Sequence, residues 1–192
     1  MRTSNNGIKL IKMFEGCVLE AYNDGYGTPT IGYGHTSGVS YGMKITQAQA
    51  DKMLQEDLQI YENNVNKYVS KYDFNQNEFD ALVSFCYNIG NVDELLRNGS
   101  LPKSEIVPRM QLYCHVGNEV SDGLVRRRKE EGKVFNTPVE VVVNMSTCYD
   151  MLAKTLLNQY GTGDERKKKL GKMYNIIQGA INTVTDYFEK NI

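Results

Sequence analysis

The chain has 192 residues, 41% of them apolar and 23% charged, with a net charge of −1; that suffices for one sizeable core, or a core with a small appendage. The balanced charge excludes a polybasic nucleic-acid or membrane-surface binder, and no apolar run reaches the ~18 residues of a membrane span or resembles a signal peptide. Four scattered cysteines, Cys17, Cys86, Cys114 and Cys148, with no C-x-x-C pair and only two histidines, argue against a zinc site and read as reduced thiols.

The first element is a helix capped within Ser4–Asn6, with Ile8, Ile11 and Phe14 on one face and Gly16 as its stop. Glu15 then falls in the last turn, where the helix end disfavours the ionised carboxylate and would keep it protonated, as a general acid requires. A solvated terminal glutamate is the commoner outcome at such a position. From Tyr22 to Tyr41, glycines interleaved with Thr, Ile and Tyr predict short antiparallel strands and tight turns carrying Asp24 and Thr30. Two carboxylates nine residues apart, then a hydroxyl six residues later, suit the breaking of a glycosidic bond, which needs a protonated and a charged carboxyl flanking the scissile oxygen.

Thr46 and Gln49 form a capping box for a long helix with Leu54, Leu58, Tyr61, Val65 and Tyr68 along one stripe. Asn75 and Glu78 cap the next, with Phe79, Leu82, Val83 and Cys86 inward and an end near Asn88-Ile89-Gly90. Two further helices are expected around 103–115 and 122–135, the first carrying His115. The run Arg126-Arg127-Arg128-Lys129 reads as a solvated face with one or two arginines in ion pairs. After Thr137-Pro138 comes a β-branched run, Val139–Val143, which fits an extended linker. Residues 148–192 read as three short helices, the second capped by Asp164 and the third by Asn175 and Gln178, with Ile177, Ile181, Val184 and Phe188 inward.

The segment Glu15-Gly-x-x-Leu-x-Ala-Tyr-x-Asp24 followed by Thr30-Ile-Gly-Tyr-Gly-His-Thr36 resembles the signature of the phage-type lysozymes, glycoside hydrolase family 24. Phe74–Leu82 running to Tyr87-Asn88-Ile89-Gly90, and Gly123-Leu124-Val125-Arg126-Arg127-Arg128 with Glu131 and Phe135, are similar to later segments of that family. The resemblance spans roughly residues 5–137. It implies an α+β, lysozyme-like two-lobed fold, a small antiparallel sheet beside a helical lobe, and hydrolysis of the β-1,4 bond between N-acetylmuramic acid and N-acetylglucosamine in bacterial peptidoglycan. Glu15 would be the acid, Asp24 the carboxylate that positions water or stabilises the transition state, and Thr30 the hydroxyl that holds the water, by an inverting route. No metal or organic cofactor is implied. Asn88 stands where the family places an amide near the substrate, and Tyr33 either stacks on sugar or fills the sheet. His35 is implied to be structural, tied to a carboxylate of the other lobe.

Leu152-Ala153-Lys154 with Tyr160–Leu170 leading to Tyr174, Gln178 and Asn182 is similar to a small three-helix cell-wall-binding repeat, the CW-seven repeat. Thr162 stands where that family usually has Asn, and Lys172-Met173 where it often has Ala-Gly. Asp164, Arg166 and Gln178 are the implied wall contacts. The organisation expected is therefore a lysozyme-like catalytic domain over 1–137, a linker over 138–147 and a three-helix wall-binding bundle over 148–192, in a monomer. The expected role is an endolysin that accumulates in the host cytoplasm and, once released, cuts the wall. A lytic transglycosylase and an inactive wall-binding or virion protein are the alternatives; Asp24 and Thr30 beside Glu15 argue against both.

Overall fold

A computed structural model describes residues 1–139 and 145–191, and side chains for 1–139, 150–183 and 185. The chain divides into two compact units, Met1–Val139 and Glu140–Ile192. Most of the Val139–Val143 run, and the side chains of Cys148, Val184 and Phe188, lie outside the described residues.

The first unit begins with helix α1 (Asn5–Glu15), where the Ser4 hydroxyl accepts from the Asn6 and Gly7 N–H groups. A hairpin follows, β1 (Val18–Asn23) against β2 (Pro29–Gly32), antiparallel, with Tyr22 opposite Thr30 and Asn23 opposite Pro29. The sheet thus starts at Val18, four residues before the expected composition change. The register breaks between Val18 and Tyr22. There the other edge of β1 is engaged too: Ala21 N–H donates to Met43 O at 2.9 Å and Ile45 N–H to Leu19 O at 2.9 Å.

Helix α2 (Gln47–Tyr72) has the expected Thr46/Gln49 capping box and runs 26 residues, about seven turns. Leu54, Leu58 and Val65 are its buried stripe. Helix α3 (Gln76–Ile89), boxed by Asn75 and Glu78 and ended by Gly90, packs against α1, α2 and α5 (Asp122–Asn136). It is buried on all sides from Phe79 to Cys86, which is why its pattern is apolar almost all round. Each of its large apolar side chains contributes about 1.5–3 kcal/mol by burial. Its two polar interruptions both have partners: Asp80 accepts from the Ser4 N–H and hydroxyl and from Gln76 Nε2, and Ser84 donates to Glu131.

The helix expected over 103–115 is broken up. A 3-10 turn at Lys103–Glu105 leads into a five-residue helix α4 (Ile106–Met110), and then a small hairpin forms, β3 (His115–Val116) with β4 (Glu119–Val120). Gly117, at φ 60°, makes the tight reversal that a helix does not allow. His115 accordingly lies on an exposed strand rather than a helix.

In the second unit, α6 (Met145–Leu156) begins three residues earlier than expected. Helix α7 (Gly163–Leu170) follows, and a 3-10 turn at Gly171–Met173 runs into α8 (Tyr174–Asn191). Among its described side chains, Leu170, Ile177 and Thr155 are the buried ones. The cap of α7 is Thr162, so Asp164 stands in the first turn, where its charge still suits the helix start. Asn175 and Gln178 likewise lie within α8, because the preceding 3-10 turn already leads the chain into the helix.

Candidate active site

Glu15 is the last residue of α1, and Gly16 turns the chain away at φ 67°, leaving the carboxyl at the helix end with 22% of its side chain exposed. It forms part of the wall of two cavities. One, of about 340 Å³, is bounded by Gly34, His35 and Ser37 from the turn after β2 and by Asp57, Tyr61 and Tyr87 from α2 and α3. The other, of about 550 Å³, lies between Phe14, Asn88, Val116, Gly123, Arg126 and Arg127. Glu15 is common to both, so an open cavity lies on either side of one carboxyl. A larger cavity of about 640 Å³ lies elsewhere, beside Lys103, Val107 and Phe135. Its Glu78 is occupied in capping α3 and pairing with Lys103.

Glu15 is not free. Arg127 Nη1 donates to Glu15 Oε1 at 2.6 Å, across 112 residues of sequence. The same guanidinium donates from Nε to Glu131 Oε1 at 3.0 Å and from Nη2 to Ser84 O at 3.0 Å. Arg128 donates to Asn88 Oδ1 at 2.9 Å and pairs with Glu131 at 3.0 Å, its charge also lying over the Phe85 ring at 4.7 Å. Arg128 and Glu131 are fully buried, and Arg127 is 4% exposed. Burial pushes the Arg128 guanidinium down to about 10 despite Glu131 beside it. Burial likewise raises the Glu131 carboxyl, against the pull of both arginines and the Ser84 hydroxyl. The arginine run is therefore half solvated face and half buried network: Arg126 and Lys129 are exposed, Arg127 and Arg128 are not. The sequence held a signal for this, since Arg127 and Glu131 are spaced i,i+4 and Arg128 and Glu131 i,i+3 on the helix face that also carries Phe135.

Asp24 and Thr30 sit on the first hairpin. Asp24 is exposed at the end of β1, and its Oδ1 accepts from Tyr26 N–H at 2.8 Å and Thr28 N–H at 3.1 Å. Those bonds fix the carboxylate by its own turn and leave Oδ2 outside them. Thr30, 3% exposed on β2, donates its hydroxyl to Thr28 O at 3.1 Å, so its oxygen remains an acceptor. Neither residue lines the two cavities that Glu15 shares.

Asn88, exposed at the end of α3, borders the second cavity while accepting from Arg128. Tyr33 borders the first but is 7% exposed: its hydroxyl donates to Asp51 at 3.1 Å and accepts from Gln47 at 2.8 Å, and Lys12 lies 5.1 Å from its ring centroid. Its ring belongs to the core, which suits filling the sheet rather than stacking on sugar. His35 finds its carboxylate in Asp57 of α2, 2.8 Å from Nδ1, and Nε2 contacts Ser37 O at 2.9 Å. Both ring nitrogens are thus engaged, Nδ1 with α2 and Nε2 within its own turn.

Cys17, Cys86 and Cys114 are free thiols, and burial pushes Cys86 up to about 12. Among the described residues no cluster of His, Cys, Asp or Glu could hold a metal ion, and no described helix is long and apolar enough to cross a membrane. In the second unit, Arg166 braces the turn before α7, donating from Nε to Gly161 O at 2.9 Å and from Nη1 to Gln178 Oε1 at 3.3 Å, while Gln178 donates to Asn182 at 2.9 Å. Asp164 is exposed.

The family described as phage lysozyme matches residues 12–131. The chain is 46% identical over 150 residues to an endolysin of Lactococcus phage c2, covering 72% of this chain and 62% of that protein. It is 36% identical over 144 residues to the endolysin of Salmonella phage P22, covering 71% of this chain and 98% of that one. The chain thus spans about three fifths of the length of the first of these relatives. Among solved structures, the muramidase domain of SpmX from Asticaccaulis excentricus superposes with a TM-score of 0.65 at 36% identity, over 71% of this chain and 99% of that one. A mutant of P22 lysozyme gives 0.62 at 34% identity, over 71% and 99%. The lysozyme-like α+β fold expected from the sequence is the fold observed.

Proposed function

Because the chain belongs to the phage lysozyme family, we propose that it is an endolysin of glycoside hydrolase family 24 that hydrolyses bacterial peptidoglycan, cutting the β-1,4 bond between N-acetylmuramic acid and N-acetylglucosamine. The observation that carries this reading is the open cavity on either side of Glu15, a shape suited to a polymer threaded past one carboxyl. The likeness to a domain named a muramidase supports the choice of bond.

In the proposed mechanism Glu15 protonates the leaving oxygen, and must loosen from Arg127 to carry that proton. Asp24, held by Oδ1, offers Oδ2 to the attacking water or to developing positive charge at the sugar. The Thr30 oxygen accepts a hydrogen bond from that water, which turns the water's lone pair toward the anomeric carbon; where Asp24 serves as the base, its Oδ2 takes the proton the water gives up. An inverting outcome is proposed on the family resemblance. No cofactor enters these steps.

The second unit is proposed as a single CW-seven-type wall-binding repeat, the linker expected over 138–147 giving way to α6 at Met145, with Asp164, Arg166 and Gln178 as contacts. Arg166 and Gln178 are already bonded to each other, which pre-orients them for a polar ligand. One copy binds without the gain in effective concentration that a tandem array has. The protein is proposed to act as a monomer on the wall after release from the host cytoplasm.

The deciding experiment is mass spectrometry of purified peptidoglycan digested by wild type and by Glu15→Gln. New reducing-end N-acetylmuramic acid from the wild type alone is the expected result. Anhydro-muropeptides would assign a transglycosylase, and products from Glu15→Gln at wild-type level would remove Glu15 as the acid. Deletion of residues 138–192 is expected to weaken adsorption to walls and spare cleavage of soluble glycan; unchanged adsorption would refute the binding role. The P22 endolysin, matched over 98% of its length by 71% of this chain, supports a first unit able to stand alone.

A further inference from the structure

Two buried arginines and one buried glutamate stand behind Glu15. Glu131 Oε1 accepts from Arg127 Nε at 3.0 Å, the Ser84 hydroxyl at 2.8 Å and Arg128 Nη2 at 3.3 Å, and its Oε2 lies 3.0 Å from Arg128 Nε as an ion pair, with none of its side chain exposed. Arg127 passes its remaining Nη1 to Glu15. Arg128 is the less satisfied of the pair, since its Nε and Nη1 have no hydrogen-bond partner among the described residues. The cluster therefore contains two positive charges and one internal negative charge, and Glu15 faces the difference.

We propose that Glu131 is a positioning residue for Glu15: it takes up one of the two buried arginine charges, so that Glu15 faces one net positive charge rather than two and can accept and hold the proton of a general acid. Without a counter-ion in the core, both guanidiniums would draw on Glu15, and the carboxyl would stay ionised where the reaction needs it protonated. The single remaining charge keeps the side chain aimed from α1 toward α5 between turnovers. The inference rests on the reading of Glu15 as the acid given above.

The other charged or titratable groups around Glu15 come from each packed element: Tyr61 and Asp57 from α2, Tyr87 from α3, His35 from the turn after β2, and Arg126 from α5. Asp57 is bonded to His35, and Lys12 of α1 is drawn off to Asp51 at 2.8 Å. Behind Glu131, Cys114 is the other ionisable neighbour of Arg128. None of these is changed in the variants below, so their contributions cancel in the comparison.

The test is a ¹³C-carboxyl NMR titration of Glu15 in the full chain, with its resonance assigned by Glu15→Gln. In Glu131→Gln the net charge facing Glu15 doubles, and its titration is expected to move to lower pH by about one unit. In Arg128→Met that net charge is cancelled, and the titration is expected to move to higher pH by about one unit. Opposite shifts are the signature that a structural role would not produce; shifts of the same sign, or none, overturn the proposal. Arg128→Met leaves Arg127 and Glu131 matched and no lone charge buried, so it carries the test if Glu131→Gln does not fold. The alkaline limb of peptidoglycan hydrolysis should follow the same order. A wild type that releases no muropeptides would sink the functional reading and leave the NMR result standing on its own.

Discussion

The hairpin and the helical part of the first unit hold their candidate residues in place by different physics. On the hairpin side, Asp24 is fixed by N–H groups two and four residues away, and Thr30 by a carbonyl two residues away. On the helical side, Glu15 is fixed by Arg127, 112 residues distant, through a buried cluster whose members come from α3 and α5. The hairpin can thus shape its carboxylate before the rest of the unit has assembled, whereas Glu15 acquires its surroundings only when α1, α3 and α5 have met. The difference predicts that damage on the helical side appears as lost stability and damage on the hairpin side as lost activity.

The largest effect should come from Glu131→Gln. It leaves the buried Arg128 guanidinium without its counter-ion and Arg127 with Glu15 alone, and urea denaturation should show a loss of about 3–5 kcal/mol; a loss under ~1 kcal/mol would mean that water reaches the cluster. Next is Gly7→Ala, at the crossing of α1 and α3. Its Cβ would lie 2.7 Å from Asp80 Cγ and 2.7 Å from Thr3 Cγ2. Overpacking of about 1–3 kcal/mol outweighs the ~1 kcal/mol helix preference of alanine, so thermal melting should report a net loss on the order of 1 kcal/mol. An unchanged melting temperature would show that α1 can slide on α3 freely. The smallest stability change belongs to Asp24→Asn. The amide oxygen keeps the turn bonds to Tyr26 and Thr28, so stability should stay within about 0.5 kcal/mol while hydrolysis falls by 100-fold or more, on the order of 10²–10⁴ for loss of a charged catalytic partner. Stability lost in proportion to activity would make Asp24 a turn residue only.

Local signals in the sequence were enough for much of the unit. Ser4, Thr46 and Asn75 start helices in the structure as their side chains suggest, and Gly16 and Gly90 end them. These features depend on hydrogen bonds spanning a few residues, and short-range spacing encodes them. The reading failed where a turn competed with a helix. Over 103–115 the apolar spacing suits a helix, but Gly117-Asn118 reverses the chain into β3 and β4 and places His115 on an exposed strand. It failed again at the caps of α7 and α8, where a preceding 3-10 turn and Thr162 displaced Asp164 and Asn175 from the cap positions.

What the sequence alone determined, then, is the kind of chemistry on offer: Glu15 at a helix end, Asp24 and Thr30 on a glycine-rich hairpin, and, through the resemblance to the phage-type lysozymes, the fold class. What only the tertiary structure decided is the electrical setting of that chemistry. The helix-end argument considers α1 alone, and the guanidinium of Arg127 at 2.6 Å opposes it with a full charge rather than a partial one. Likewise, a four-residue basic run looks solvated until folding buries two of its members against Glu131. Hydrogen bonds and caps are short-ranged and survive in a one-dimensional pattern. Charge in a low-dielectric core acts across whatever the fold brings together, and no local spacing records it.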